Sequence, residues 1–230
     1  MDLENIKSYR ENELRNYVLA NLLIIIMFTD SLKQIYLSDN DLTISILKTI
    51  SFTFLSSIIY IFVFIIDGLI PSNYKDRLIF IKKNRLPGFT VFTDIKTNKI
   101  SDIRFSNDKI LEIHNKIYKD LDSKKFTVSE KKKFENEKWY ELYIENKNNE
   151  MIITSQRDYL LTRDIYISTI SIIVLYLFFS RVINSINFEW SILIYFLVMI
   201  CVTNIVTRIK VKKFVLNVLA LSVYKKKSRK

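Results

Sequence analysis

The sequence predicts an all-α integral membrane protein, on three observations. The 230 residues are 49% hydrophobic and 26% charged, a mixture that suits apolar blocks alternating with charged ones better than one soluble domain. Two glycines and two prolines leave little of the chain for tight turns. Several apolar runs reach, with their flanks, the roughly 20 residues that cross a hydrocarbon core. The lone Cys201 lies inside one of these runs as a reduced packing residue, so neither a disulfide framework nor a thiolate metal site can be built.

Four spans are expected. The first is built around Tyr17 to Phe28, only twelve residues long and interrupted by Asn21. The acid-rich residues before it and the lack of a small-residue cleavage site do not fit a signal peptide. Extension from Leu14 to Leu37 makes it long enough, with Asp30 and Lys33 near the far interface and spaced to pair. The second covers 44–66, where Lys48 lies close enough to one end to snorkel. The third covers 165–180, and the fourth 190–207 after a short loop. The chain divides accordingly into a transmembrane hairpin at 1–71, a helical domain at 72–164, a second hairpin at 165–207 and a basic tail helix at 208–230.

Net charge is +11, and its placement sets the orientation. The loop 38–43 has no basic residue and the loop 181–189 has one, whereas 72–164 carries twenty and 208–230 nine. Basic segments stay on the cytoplasmic side. Four spans with both termini and the inserted domain in the cytoplasm meet that rule, whereas three spans would expose either the basic domain or the basic tail.

Within 72–164, residues 74–85 are expected to continue the second span and stop at Leu86-Pro87-Gly88, where glycine permits a positive φ. A helix is expected from Asn107 to Asp122. Another begins at Thr127, whose spacing to Glu130 makes a capping box, and runs to Asn146 with apolar positions Phe134, Trp139, Leu142 and Tyr143. From Glu150 nothing breaks the helix before the third span. The fourth span likewise continues inward, with Phe214, Val215, Val218, Leu221 and Ser222 on one face.

No enzyme motif is present, and His114, the only histidine, reads as a surface or packing residue. The acids at 135–145 lie among lysines and look like a solvated face. Lys82, Lys83, Arg85, Arg104, Lys138 and Arg157, mixed with Trp139, Tyr140 and other aromatics, are residue types that bind nucleic acid through phosphate neutralisation and base stacking. The same set fits aromatics in a core with lysines facing anionic headgroups, and composition favours that second reading. The terminal run 225–230 reads as an orientation and lipid anchor. In the second span, Thr49, Thr53, Ser56 and Tyr60 share one helical face, where polar side chains either join helices or line water.

One set of motifs resembles a known family. It comprises Asn84-Arg85-Leu86-Pro87-Gly88, Phe92, Asp102-Ile103-Arg104, Trp139-Tyr140-Glu141-Leu142-Tyr143, and Gln156 to Asp164 leading into a span. The arrangement, covering about 84–175, is similar to HalB-type membrane effectors of Hailong anti-phage defence. The resemblance implies a homo-oligomeric ion channel, with a tetramer as the expected number, in the bacterial cytoplasmic membrane. Its opening depolarises the cell, and its gate is controlled by a single-stranded DNA oligomer made by a HalA-type nucleotidyltransferase-like partner. On that resemblance Arg85, Arg104, Trp139, Tyr140 and Arg157 carry over as ligand-site positions. A non-conducting membrane-anchored interaction module and, less favoured, a small carrier are the rival functions; no cofactor is expected.

The topology is testable by cysteine labelling in a background lacking Cys201. External reagent should reach cysteines placed at Asp39 to Asp41 and at Ser185 to Asn187. Labelling at Lys125 or Lys226 in intact cells, with none near Asp39, would overturn the expected orientation.

Overall fold

The computed structural model describes residues 3–29, 42–80, 86–182 and 188–228. Every regular element among them is a helix, apart from an isolated bridge between Asp102 and Phe105. In chain order these are α1 (Leu3–Phe28), α2 (Leu42–Leu69), α3 (Ser72–Phe80), a 3-10 turn (Pro87–Phe89), α4 (Val91–Lys96), α5 (Asn107–Ile113), α6 (Asn115–Ser123), α7 (Val128–Asn146), α8 (Glu150–Val182) and α9 (Trp190–Ser228). Three segments, Ile46–Leu69, Glu150–Val182 and Trp190–Lys225, are long and apolar enough to cross a membrane, which is compatible with a multi-pass membrane protein. The expected first span falls on α1, which starts at Leu3, well before Leu14, and is not among those three segments. Its extension to Leu37, with the Asp30–Lys33 pair, falls outside the described residues.

The chain forms two compact units. The first comprises Met1–Lys75 and Leu160–Val206. Its core joins Val18, Leu22 and Ile25 of α1 with Val63 of α2, Ile172, Ile173 and Tyr176 of α8, and Ile192 and Phe196 of α9. Several polar groups inside it are paired with one another, whereas the buried Thr29 and Ser168 hydroxyls find no hydrogen-bond partner among the described residues. Asn21, buried, donates through Nδ2 to the Tyr17 carbonyl at 2.7 Å and accepts through Oδ1 from the Tyr195 hydroxyl at 3.1 Å. Tyr17 Oη and Thr169 Oγ1 lie 2.7 Å apart. The buried Asp164 carboxylate takes Arg10 of α1 on one oxygen and Arg163 at 3.3 Å on the other. Lys75 Nζ meets Asp67 Oδ1 at 2.6 Å.

The second unit comprises Asp76–Tyr159 and Thr207–Lys230. Helix α3 is not a continuation of α2. Pro71 has no N–H to give and its ring clashes with the preceding turn, so α2 ends and the Pro71 carbonyl opens a new helix by accepting from Tyr74 N at 2.9 Å. The far end of α3 is tied by Arg208, whose Nη2 and Nε donate to the Ile79 carbonyl at 2.7 and 3.1 Å, a cation on a helix C-terminus. Asp76 accepts from the Tyr159 hydroxyl at 2.6 Å.

The helix expected from Asn107 to Asp122 is two helices, broken at His114, whose backbone sits at φ −105°, ψ 28°. The imidazole explains the break. It is buried, 2.9 Å from Ser222 Oγ and edge-on to Phe92, so a tertiary contact outweighs local helix propensity. The Thr127–Glu130 capping box is present and starts α7. At the Leu86-Pro87-Gly88 turn neither Gly88 nor Gly68 has a positive φ, contrary to expectation. Gly88 serves a different need, because a Cβ there would lie 3.3 Å from Trp139 Cε3 and 3.2 Å from Asn136 Oδ1.

The Asp164 cluster predicts the cost of breaking it. Asp164→Ala leaves two arginines that lose their buried acceptor and should destabilise the first unit by about 3–5 kcal/mol. Thermal unfolding of the purified protein in detergent measures this, and Asp164→Asn should be milder.

Candidate functional site

Helix α7 positions three of the candidate ligand residues, Lys138, Trp139 and Tyr140. Its buried positions Glu135, Trp139, Leu142 and Asn146 recur at helical spacing and define one inward face. Trp139 is a core residue. Its Nε1 donates to the Val215 carbonyl at 3.3 Å, its ring stacks on Tyr143 at 5.8 Å, and Phe214 meets it edge-on at 5.5 Å. Tyr140 is 53% exposed and tilts against Tyr143. Lys138 Nζ reaches Glu141 Oε1 at 2.6 Å and lies 5.9 Å from the centre of the Phe134 ring.

Arg104 sits in the Asp102–Phe105 turn. Its Nε and Nη2 grip Asp102 in a bidentate pair at 2.9 and 2.6 Å, and Nη1 donates to Asn217 Oδ1 at 2.6 Å. Those bonds hold the Asp102 carboxyl below the usual carboxylate range and raise the guanidinium. Arg157 pairs with Asp158 at 3.2 Å, and Lys210 reaches the same carboxylate at 2.9 Å. Lys82, Lys83 and Arg85 lie outside the described residues.

The structure therefore brings Trp139 and Arg104 to one stretch of α9, Phe214 to Asn217, by different contacts. Lys138 and Tyr140 lie on the outer side of α7, and Arg157 on α8 with Asp158. In α2, the four stripe residues do not share one surrounding. Thr49 and Thr53 are exposed, Ser56 is buried and Tyr60 half-buried. Thr53 donates to the Thr49 carbonyl and Ser56 to the Thr53 carbonyl, so these hydroxyls bond back to their own helix.

Glu135 corrects the reading of 135–145 as a solvated face. It is 1% exposed and its carboxylate receives the Thr93 N–H at 3.0 Å and the Thr93 hydroxyl, capping the short helix α4. Burial pushes its carboxyl up, only partly offset by the Thr93 bonds. Beside it the buried Tyr118 hydroxyl has no hydrogen-bond partner among the described residues, and burial together with the Glu135 charge raises that phenol. The spacing 135, 139, 142, 146 was the available signal for Glu135. Asn217 had none, since its partner Arg104 is 113 positions away.

Among the described residues, no group of three or more His, Cys, Asp or Glu side chains could hold a metal ion. No protein-family model matches the chain, and no curated protein or solved structure matches it.

Glu135 gives a pH prediction. Its folded carboxyl binds its proton more tightly than the unfolded one, so its contribution to stability is present below the ordinary carboxylate range and lost as pH rises through the folded value. Glu135→Gln should flatten that part of the melting-temperature profile. Glu135→Ala, which strips Thr93 of its acceptors, should cost roughly 1–3 kcal/mol. An unchanged profile in Glu135→Gln would contradict the assignment.

Proposed function

We propose that this chain is a four-span effector of the bacterial cytoplasmic membrane, of HalB type, with both termini and residues 72–164 in the cytoplasm. It assembles as a homo-oligomeric ion channel whose gate responds to a single-stranded DNA oligomer supplied by a HalA-type nucleotidyltransferase-like partner. The observation that carries this reading is the continuity of α8 and α9. Helix α8 contributes Glu150 to Tyr159 to the second unit and Leu160 to Val182 to the first, and α9 changes units between Val206 and Thr207. A ligand that alters the second unit acts on helices that are also membrane helices.

Two further observations support the reading. The apolar face of α1 is buried with α2, α8 and α9, as a fourth span requires. The concentration of basic residues in 72–164 and 208–230 favours a cytoplasmic side for both. Four spans leave little room for a water path inside one subunit, so the pore lies between copies, with Thr49 and Thr53, exposed on α2, at its wall. Lys138, Tyr140 and Arg157 meet the oligonucleotide, as do Lys82, Lys83 and Arg85 on the sequence reading, and Trp139 packs the inner face of α7 behind Lys138 and Tyr140.

A second reading has its own observation. Arg104 is fully engaged by Asp102 and Asn217, and Trp139 is enclosed, which favours a membrane-anchored interaction module that conducts nothing.

Planar-bilayer recording with a short single-stranded DNA, alongside fluorescence anisotropy of the same oligomer, separates the two. The channel reading predicts a DNA-dependent current and an affinity that falls with salt. Tyr140→Ala should weaken binding by roughly 1–3 kcal/mol, as one lost stacked base would, without loss of assembly. Assembled protein that neither binds nor conducts would leave the interaction module in front.

A further inference from the structure

Within the first unit, α1, α2 and α8 leave an open crevice of about 180 Å³ between them, walled by Leu22, Ile25, Ser56, Phe62, Ile172 and Phe179 among others. Among the described residues, only Ser56 and Tyr176 bring polar side-chain atoms to its lining. Both are engaged elsewhere: Ser56 Oγ donates to the Thr53 carbonyl at 2.9 Å, and the Tyr176 oxygen accepts from Glu189 N at 2.8 Å. A water needs two to four polar partners, which this lining does not provide. A dry cavity of comparable size lined by Leu, Ile and Phe takes up apolar ligands instead.

We propose that the crevice binds a lipid acyl chain. The inference rests on the reading of α2 as a membrane span. The occupant follows from where the crevice opens. Its rim residues Leu55, Ile58 and Phe62 are exposed, and they are continuous with Ile61, Phe64 and Ile65 on the same apolar surface, which in a span meets lipid tails. Among the described residues no charged group lines the space, so a headgroup gains nothing by entering, whereas a chain of methylenes buries apolar surface on three helices. Ser56 sits in the wall and also in the polar stripe of α2. A bound chain therefore braces the stripe-bearing helix against α1 and α8, and lipid composition becomes a modulator of this protein.

The test uses the full chain in vesicles of phosphatidylcholine that carries a diazirine near the end of one acyl chain. Illumination followed by peptide mass spectrometry maps the contacts. Adducts are expected on Ile25 and Ile172 in the crevice wall as well as on Ile61 and Ile65 outside it. Filling the space with Ile172→Phe, or with Ser56→Leu if the first variant assembles poorly, should reduce the Ile25 adduct several-fold and leave Ile61 and Ile65 unchanged. Adducts on Ile61 and Ile65 with none on the crevice wall overturn the proposal while leaving the span intact. The absence of any adduct along Ile46–Leu69 overturns both. Disulfide-linked dimers formed by Leu55→Cys or Phe62→Cys in a background lacking Cys201, with no lipid adduct on the crevice wall, assign the crevice to a second copy and likewise overturn it.

Discussion

Between Glu150 and Val182 the chain contains no glycine and no proline, and neither does the stretch from Trp190 to Ser228. Nothing along these two segments releases a backbone N–H or carbonyl from its helical partner, so each folds as one helix, of 33 and 39 residues. Every other element has to meet what those helices present. Toward one end of α8, Gln156 and Tyr159 offer polar tips that Tyr143 and Asp76 meet. Toward the other, Ile172, Ile173 and Tyr176 require an apolar partner, and α1 supplies it. The second part of α9 changes in the same way, from the exposed Ile205 and Ile209 to the enclosed run Phe214 to Ala220.

Polar side chains in the first unit follow from the same constraint. In an apolar setting an unpaired amide or charge costs several kcal/mol, and the buried amide and the buried carboxylate here are each held by partners. Asn21 is held by Tyr17 and Tyr195, Thr169 faces Tyr17, and Asp164 is held between Arg10 and Arg163. A buried ion pair adds little net stability over a well-packed apolar contact. Our hypothesis is that the Asp164 cluster acts in pairing: a shift of α1 by one turn along α8 would part Arg10 from Asp164, so the contact would select one register of the two helices. Asp164→Leu that kept the same disulfide cross-linking pattern between α1 and α8 would remove that hypothesis.

What could be read from the chain alone is what depends on neighbours in sequence. The Thr127–Glu130 cap needs three residues of spacing, and the apolar runs of α2, α8 and α9 need only their own composition. The departures share a cause. His114 breaks a helix to reach Ser222, 108 positions on, and Glu135 is buried because Thr93, 42 positions back, presents the start of α4 to it. Gly88 looked like a residue for a left-handed turn, and its actual requirement is the approach of Trp139, 51 positions away. The candidate site fared similarly. Residue type marked Arg104 and Trp139 as ligand chemistry, but type does not reveal that Asp102 and Asn217 occupy one and that Val215 and Phe214 enclose the other. Tyr140, left 53% exposed on the same helix, is the aromatic whose face stays accessible.

If continuity of α8 carries the state of the second unit into the membrane, softening that helix at the boundary should uncouple them, beyond the effect of Leu160→Ala with Leu161→Ala, which removes the same two half-buried side chains without introducing glycine. Leu160→Gly with Leu161→Gly lies at the unit boundary, and each glycine costs a helix interior about 1 kcal/mol, enough to favour local bending without preventing assembly. The decisive measurement is the DNA-dependent current of this double variant in planar bilayers, with binding followed in parallel. The account predicts normal DNA binding and assembly with a current that no longer responds to DNA. A response equal to that of the unaltered protein would contradict it.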